Sequence, residues 1–295
     1  MSEVDASYAH CRRIARTRAR NFYYAFTLLP RRQSDAMCAI YAFMRHADDI
    51  ADDDSISLDS RRQQLEDWRG ELLAALEGNP CSEGLFPAFQ NTVQRYEIPP
   101  QYFQALIDGM ESDLEARSYE SFEDLYEYCY RAASVVGMTT VHIFGFDSDA
   151  ALPLAEKCGI AFQLTNILRD IREDAGFGRV YLPEIELSEF GLSSAEFLDG
   201  SVRPDDDRFL RLMEFQWNRA DQYYREAAPL LALVSSRNRP ALWALVTIYH
   251  QLLERIRHLG YNVLDKRAKL SVWKKLWIVA RAMTLRTIGG TPSFP

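Results

Sequence analysis

Gln163-Leu-Thr-Asn166-Ile-Leu-Arg-Asp170-Ile-Arg-Glu-Asp174 is the stretch on which the reading of this chain turns. Asn166, Asp170 and Asp174 recur every four residues, and Gln163 precedes Asn166 by three. On a helix all four fall on one stripe. Leu164, Ile167, Leu168 and Ile171 lie between them and belong to a buried face. The spacing predicts a helix that carries a polar stripe beside an apolar one.

A second acidic cluster lies far upstream. Asp48, Asp49, Asp52, Asp53 and Asp54 crowd into seven residues, directly after the apolar run Ala36–Met44. Asp is a poor helix former because its side chain competes for backbone groups. If the helix nevertheless continues, Asp48 and Asp52 share one face, where like charges repel and something positive must offset them. Two such stripes predict two helices facing each other across a cavity. Mg²⁺ fits both, with Mn²⁺ as the alternative ion, because a hard cation takes carboxylates, keeps waters and completes its shell with substrate phosphates. Held there, it would neutralise a leaving diphosphate, and an apolar cavity beneath would hold a hydrocarbon tail. The plainer readings stay open at this point: a solvated helix end for the aspartates, and a hydrated face paired with Arg169 and Arg172 for the later stripe.

The rest of the chain points the same way. Fourteen glycines and 12 prolines in 295 residues are too few for an all-β protein, which turns about every 8–12 residues. Helical spacing is expected over 7–29, 34–53 (Ser34 as its cap), 58–77 (ended by Gly78, Asn79 and Pro80), 84–96, 99–116, 121–145 and 149–174. A loop over 176–193 precedes further helices at 205–233, 237–259 and 266–288. No repeat divides them, so one all-α domain is expected over 1–295, a helical bundle around a central cavity. The net charge of −8 argues against nucleic acid, which needs a dominant basic field. Five scattered cysteines without a CxxC suit reduced core positions of a cytoplasmic protein. The polar start shows no signal peptide, and no window offers about 18 apolar residues for a membrane span. The stretch 265–286 holds seven basic residues against one Asp. It reads as an amphipathic surface helix, or as a peripheral contact with anionic lipid at the inner membrane face or with a substrate phosphate.

Four stretches in order, Ala19–Pro30, Ala39–Asp53, Tyr128–Gly137 and Phe162–Pro183, resemble the squalene/phytoene synthase family. The resemblance implies an isoprenoid synthase fold and the head-to-head joining of two prenyl diphosphates through a cyclopropylcarbinyl diphosphate. It implies that Asp48 and Asp52, with Asn166, Asp170 and Asp174, hold the metal. Arg20, Arg45, Tyr249 and Arg267 would face the diphosphates. Gln163 would line the centre of the cavity, and Tyr128 would serve the first half-reaction. One departure is visible. Where many members read His-Ser-x-Ser-Phe, this chain has Arg18-Ala19-Arg20-Asn21-Phe22, so phosphate binding there should lean on Arg18 and Arg20, with Asn21 the neutral polar replacement. Arg169 joins the substrate-binding set.

A cation pathway needs walls that exclude water, and Phe22, Tyr23, Phe26, Tyr41 and Phe43 are the candidates. Phe26 lies one turn beyond Phe22, where several phytoene synthases carry a smaller residue. That predicts a shortened tunnel for two C15 farnesyl chains, giving squalene or dehydrosqualene, unless Cys38 reopens it. The alternative is phytoene from two C20 geranylgeranyl chains. NADPH would be needed only for squalene. Among rivals, a ferritin-like di-metal bundle wants Glu-x-x-His pairs, and none of the five histidines has them. A non-catalytic assembly factor would have no reason to keep the aspartates, and a terpene cyclase would not show Tyr128–Gly137.

Overall fold

Local chemistry sets where the helices begin and end. The computed structural model describes residues 2–79, 81, 84–115 and 118–288, and the side chains of these except at 20–22, 115 and 285–288. Among the described residues there is no strand, only one isolated bridge between Phe146 and Val234. The helices are α1 (Glu3–Arg18), α2 (Arg20–Phe26), α3 (Arg31–Ala51), α4 (Leu58–Glu77), α5 (Phe86–Arg95), α6 (Gln101–Glu115), α7 (Phe122–Cys129), α8 (Val135–Phe144) and α9 (Ala151–Gly176). They continue with α10 (Glu184–Glu189), α11 (Ser194–Leu198), α12 (Asp207–Ala227), α13 (Leu230–Leu233), α14 (Arg239–His258) and α15 (Val272–Ile288).

Several expectations need correction: the helix expected over 205–233 is divided into α12 and α13, and the one expected over 266–288 begins at Val272. The helix expected over 7–29 is split at Ala19. The break lets α1 pack on α3 and α5 while α2 turns towards α14 and α15. Ser34 is not a cap. Pro30 occupies that position, and the Ser34 N–H already donates to its carbonyl at 2.9 Å, so α3 starts three residues earlier. The loop expected over 176–193 contains α10, and α11 begins just after it. Elements of five or six residues are too short to show a 3.6-residue period. The end of α4, by contrast, falls where Gly78 and Asn79 were expected to stop it, Pro80 lying outside the described residues. Ser57 caps the start, and Gly78, at φ +84°, closes the end in the left-handed conformation that glycine tolerates.

Between α7 and α8 the chain makes a π-helical turn, Tyr130–Ser134. Such turns widen the helix locally and often mark functional sites. Helix α9 rests directly on it. A Cβ on Gly159 would stand 2.5 Å from Ser134 Cα, and one on Gly137 would stand 2.7 Å from the Ala155 carbonyl oxygen. These two glycines allow the backbones to touch, which brings Tyr128 at the end of α7 beside Gln163 on α9. On the far side of α9, Thr165 donates to the Ala161 carbonyl at 2.7 Å and shares a 3.0 Å hydrogen bond with Tyr224 of α12. That pins which face of α9 points inward.

Phe43 belongs to the core and not to the cavity. Its ring lies 4.5 Å from Phe89 and 5.1 Å from Trp68, with Phe103 edge-on at 5.6 Å. Tyr23 is partly buried against the core and likewise does not line the cavity. Cys38 is fully buried on the side of α3 that faces Cys11, and does not reopen the tunnel.

Candidate active site

A cavity of about 430 Å³ separates α3 from α9. Along α3 its lining runs Met37, Ile40, Tyr41, Met44, then Arg45, Asp48 and Asp52. Along α9 it runs Ala155, Cys158, Gly159, Phe162, then Gln163, Asn166, Asp170 and Asp174. Each helix therefore passes from apolar to acidic towards its C-terminus, and the cavity has a greasy end and an acidic end. Phe26 of α2 and Leu242 and Leu245 of α14 complete the greasy end.

The five clustered aspartates divide their tasks. Asp48 and Asp52 face the cavity. Asp49 is bonded to Arg45, one turn back, and Arg45 also stands 3.8 Å from Asp48. This is the positive charge that the i,i+4 aspartates demanded. Asp53 accepts the Ser55 N–H at 3.0 Å, and Asp54 pairs with Arg61 at 3.2 Å. The plain helix-end reading thus holds for the last two, while Asp48 lines the cavity from within α3 and Asp52 from its exposed C-terminal end. Burial, reinforced by Asp52 and Asp49 against the pull of Arg45, pushes the Asp48 carboxyl up to about 7. Its side chain still keeps 37% of its surface accessible, so cavity water softens that penalty. Asp174 is pushed up to about 7 by burial and then by Asp170 and Glu173.

On α9 the four predicted residues do share one face. The Gln163 amide nitrogen reaches the Tyr128 hydroxyl at 3.5 Å, and the Asn166 nitrogen reaches Gln163 Oε1 at 3.4 Å. Asn166 Oδ1 is buried without a hydrogen-bond partner. Tyr249 stacks on Phe162 at 4.2 Å and lies against the Asn166 amide; burial raises its hydroxyl to about 12.

Several predicted contacts fall elsewhere. Arg169 does not line the cavity. It is tucked behind the stripe and grips Asp170, its Nε donating at 2.8 Å. Arg267 is also outside the lining, bonded to Asp170 at 2.8 Å and Glu173 at 2.7 Å. Arg172 turns away to the Leu264 carbonyl at 2.7 Å. Arg18 stays exposed at the end of α1, near enough to Tyr41 to act on its hydroxyl through space. The side chains of Arg20, Asn21 and Phe22 lie outside the described residues.

Asp113, Arg179 and Tyr181 line the acidic end of the cavity and escaped the sequence reading. The Asp113 carboxylate accepts the hydroxyls of Tyr128 at 3.0 Å and Tyr181 at 2.9 Å. Burial raises its carboxyl above the ordinary range, offset in part by Tyr181, Arg179 and Tyr128. Arg179 lies among Asp52, Asp113 and Tyr181 as a second cation of the acidic end. Arg179 and Tyr181 stood inside the expected loop, where their placement between Gly178 and Pro183 was the available signal.

The acidic end suits a divalent cation. It presents oxygen donors, two carboxyls raised first by burial and then by neighbouring carboxylates, and one orphaned amide oxygen. Among the described residues no three His, Cys, Asp or Glu side chains converge on one metal position. An all-helical cavity with an acidic mouth and a greasy floor defines a class of enzyme that ionises prenyl diphosphates and shelters the cation.

The comparisons make the class specific. Residues 15–274 match the squalene/phytoene synthase family model, and the chain belongs to that family. It is 34% identical to the 15-cis-phytoene synthase of Synechococcus elongatus over 98% of this chain and 96% of that one. The phytoene synthase of Mycobacterium tuberculosis is also 34% identical, over 96% of this chain and 92% of its own. A crystal structure of a dehydrosqualene synthase superposes with a TM-score of 0.86 at 28% identity, covering 97% of this chain and 98% of that one. The squalene synthase HpnC from Alicyclobacillus acidocaldarius gives 0.81 at 29% identity, with 88% and 96% covered. The protein is a prenyltransferase that condenses two prenyl diphosphates head to head.

Proposed function

We propose that the two substrates are C20 geranylgeranyl diphosphates and the product is phytoene, rather than the C30 product that Phe26 suggested. The observation that carries this choice is full-length agreement with relatives named phytoene synthase. The C15 expectation rested on a single ring. Phe26 does line the cavity, but the same lining holds small residues, including Ala132, Ala133, Gly137 and Gly159.

Asp48 and Asp52 on one side, and Asn166, Asp170 and Asp174 on the other, would hold Mg²⁺. Bound there, Mg²⁺ supplies the positive charge that offsets the leaving diphosphate. Arg45 and Arg179 donate to the phosphate oxygens, for which guanidinium geometry is suited. Arg169 and Arg267 act on Asp170, fixing its carboxylate, and not on substrate. Phe162, Tyr249 and Phe26 keep water from the cation. Phytoene formation consumes no hydride, so no dependence on NADPH follows from this reading.

The test is to give purified protein Mg²⁺ with farnesyl or geranylgeranyl diphosphate, with and without NADPH, and to identify extracted products by mass spectrometry. The expected product is C40 from geranylgeranyl diphosphate, unchanged by NADPH. Phe26→Trp should then cut C20 turnover by about tenfold or more, through overpacking of about 1–3 kcal/mol, and spare any C15 turnover. A wild-type protein that makes only C30, and gains C40 on Phe26→Ala, would restore the C15 reading.

A hydrocarbon product also needs somewhere to go. On α15, Ile278, Val279 and Ala282 are buried, while Trp273 is 81% and Trp277 54% exposed, with Leu276 beside them. Lys274 and Arg281 stand over the Trp277 ring at 5.7 and 5.5 Å. Apolar rings flanked by cations fit an anionic bilayer surface, and α15 packs on α2 and α14, which wall the greasy end of the cavity. Among the described residues no helix is long and apolar enough to cross a membrane. Co-sedimentation with vesicles containing phosphatidylserine should be strong at low salt and weaker at high salt, and should fall at least about tenfold in Trp273→Ala/Trp277→Ala. Equal recovery with and without vesicles would sink this docking.

A further inference from the structure

Tyr128 is held by two polar partners at the wall of the cavity. Its hydroxyl proton is committed to Asp113 Oδ2 at 3.0 Å, and the Gln163 amide nitrogen approaches its oxygen at 3.5 Å. A phenol has one proton and two lone pairs. With the proton turned away and one lone pair facing Gln163, the oxygen meets the cavity as an acceptor. Asp113 is itself pinned, since its other oxygen takes the Tyr181 hydroxyl at 2.9 Å. The rings of Tyr128 and Tyr181 stack at 5.0 Å, with Tyr119 against both at 5.4 and 5.9 Å. This aromatic packing leaves the carboxylate little freedom to swing. Asp113, Tyr128 and Tyr181 all line the cavity.

We propose that Asp113 is the positioning residue of the first proton loss, turning Tyr128 into a proton acceptor and taking the proton that Tyr128 gives up. The inference rests on the head-to-head reading and on the first-half-reaction role that the family resemblance gives Tyr128. The step balances as follows. The 2,3-double bond of one substrate attacks C1 of the allylic cation and leaves a cation at its own C3. A C1–H bond then breaks, and its electron pair closes the cyclopropane onto C3. The released proton goes to the Tyr128 oxygen as the Tyr128 proton passes to Asp113 Oδ2. Tyr128 is neutral before and after, the carboxylate becomes a carboxylic acid, and the substrate loses one positive charge.

A buried carboxylate under two phenols would also be satisfied as plain structure, so the test must separate the two roles. Asp113→Asn has nearly the same shape but accepts through one oxygen and offers two N–H donors. It is assayed on the prenyl diphosphate and, separately, on supplied cyclopropylcarbinyl diphosphate. The expected result is a fall of about 10²-fold or more in kcat on the first, with KM and thermal midpoint nearly unchanged, and near-normal turnover of the second. Substrate deuterated at C1 should show a larger isotope effect in the variant than in the wild type. Asp113→Glu keeps a carboxylate and should recover part of the loss; should Asp113→Asn fail to fold, the Glu variant carries the isotope test. Equal slowing of both substrates, or no slowing of either, would overturn the proposal. A wild-type protein inactive on every prenyl diphosphate would instead refute the functional reading beneath it.

Discussion

Asp48→Asn is expected to abolish turnover while making the metal-free fold more stable at pH 8. The carboxylate points into the cavity from the last turn of α3, pushed up to about 7 by burial and its aspartate neighbours. The sign follows from proton counting. An unfolded Asp ionises near its ordinary value of 3.8, so between that value and about 7 the folded chain holds the proton longer. Stability from this group is therefore greatest at low pH and is lost as pH rises through that window. Asp174 contributes in the same direction. Asparagine removes the cost of the charge. Because 37% of the Asp48 side chain remains accessible, screening limits the gain to about 1 kcal/mol or less, about 2–4 °C in midpoint. The loss in kcat should be at least about 10²–10³-fold, the scale for deleting one preorganised stabiliser of developing charge. Thermal melts at pH 5 and pH 8 and steady-state kinetics check both halves. A variant that retains near-normal kcat, or that melts lower than wild type at pH 8, would contradict the assignment.

Gly159→Ala should damage both fold and activity, although alanine is the better helix former by about 1 kcal/mol. The added Cβ would meet Ser134 Cα at 2.5 Å, Ser134 N at 2.7 Å and the Ala133 carbonyl oxygen at 2.8 Å. All three are backbone atoms of the π turn and cannot swing aside as a side-chain tip would. Overpacking of this kind costs about 1–3 kcal/mol and should outweigh the propensity gain. Displacing the π turn also moves Tyr128 from Gln163, and a shift of about 1 Å near reacting groups can cost about 10²-fold. Gly70 is the control. It lies within α4 with nothing within 4 Å of its Cβ position, so Gly70→Ala should stabilise by up to about 1 kcal/mol and leave activity alone. If Gly159→Ala behaves like Gly70→Ala, the close approach of α9 to the π turn is not what orders the site.

The polar stripe of α9 and the paired aspartates of α3 were legible because each is local. A four-residue repeat announces one helical face without knowledge of the partner. Asp113, Arg179 and Tyr181 were not legible for the opposite reason. Asp113 is one of several acids on α6, Arg179 and Tyr181 share one short loop, and they acquire meaning only where α6, α7 and the segment after α9 meet. The pairing of Arg169 and Arg267 with Asp170 was not legible either, because the sequence and its resemblance show the charges but not the nearest partner. Phe43 and Phe26 look alike in sequence. Only packing shows that one joins an aromatic core and the other faces the cavity.

The most direct measurement is a crystal structure with Mn²⁺ and a non-hydrolysable thiolo analogue of geranylgeranyl diphosphate, with the ions located by anomalous scattering. The account predicts ions on both acidic stripes, touching oxygens of Asp48 or Asp52 on one side and of Asn166, Asp170 or Asp174 on the other. The diphosphate should lie between them, with its tail running past Phe26 towards Leu242 and Leu245. A diphosphate bound with no ion on either stripe, or a tail that stops at Phe26, would contradict it.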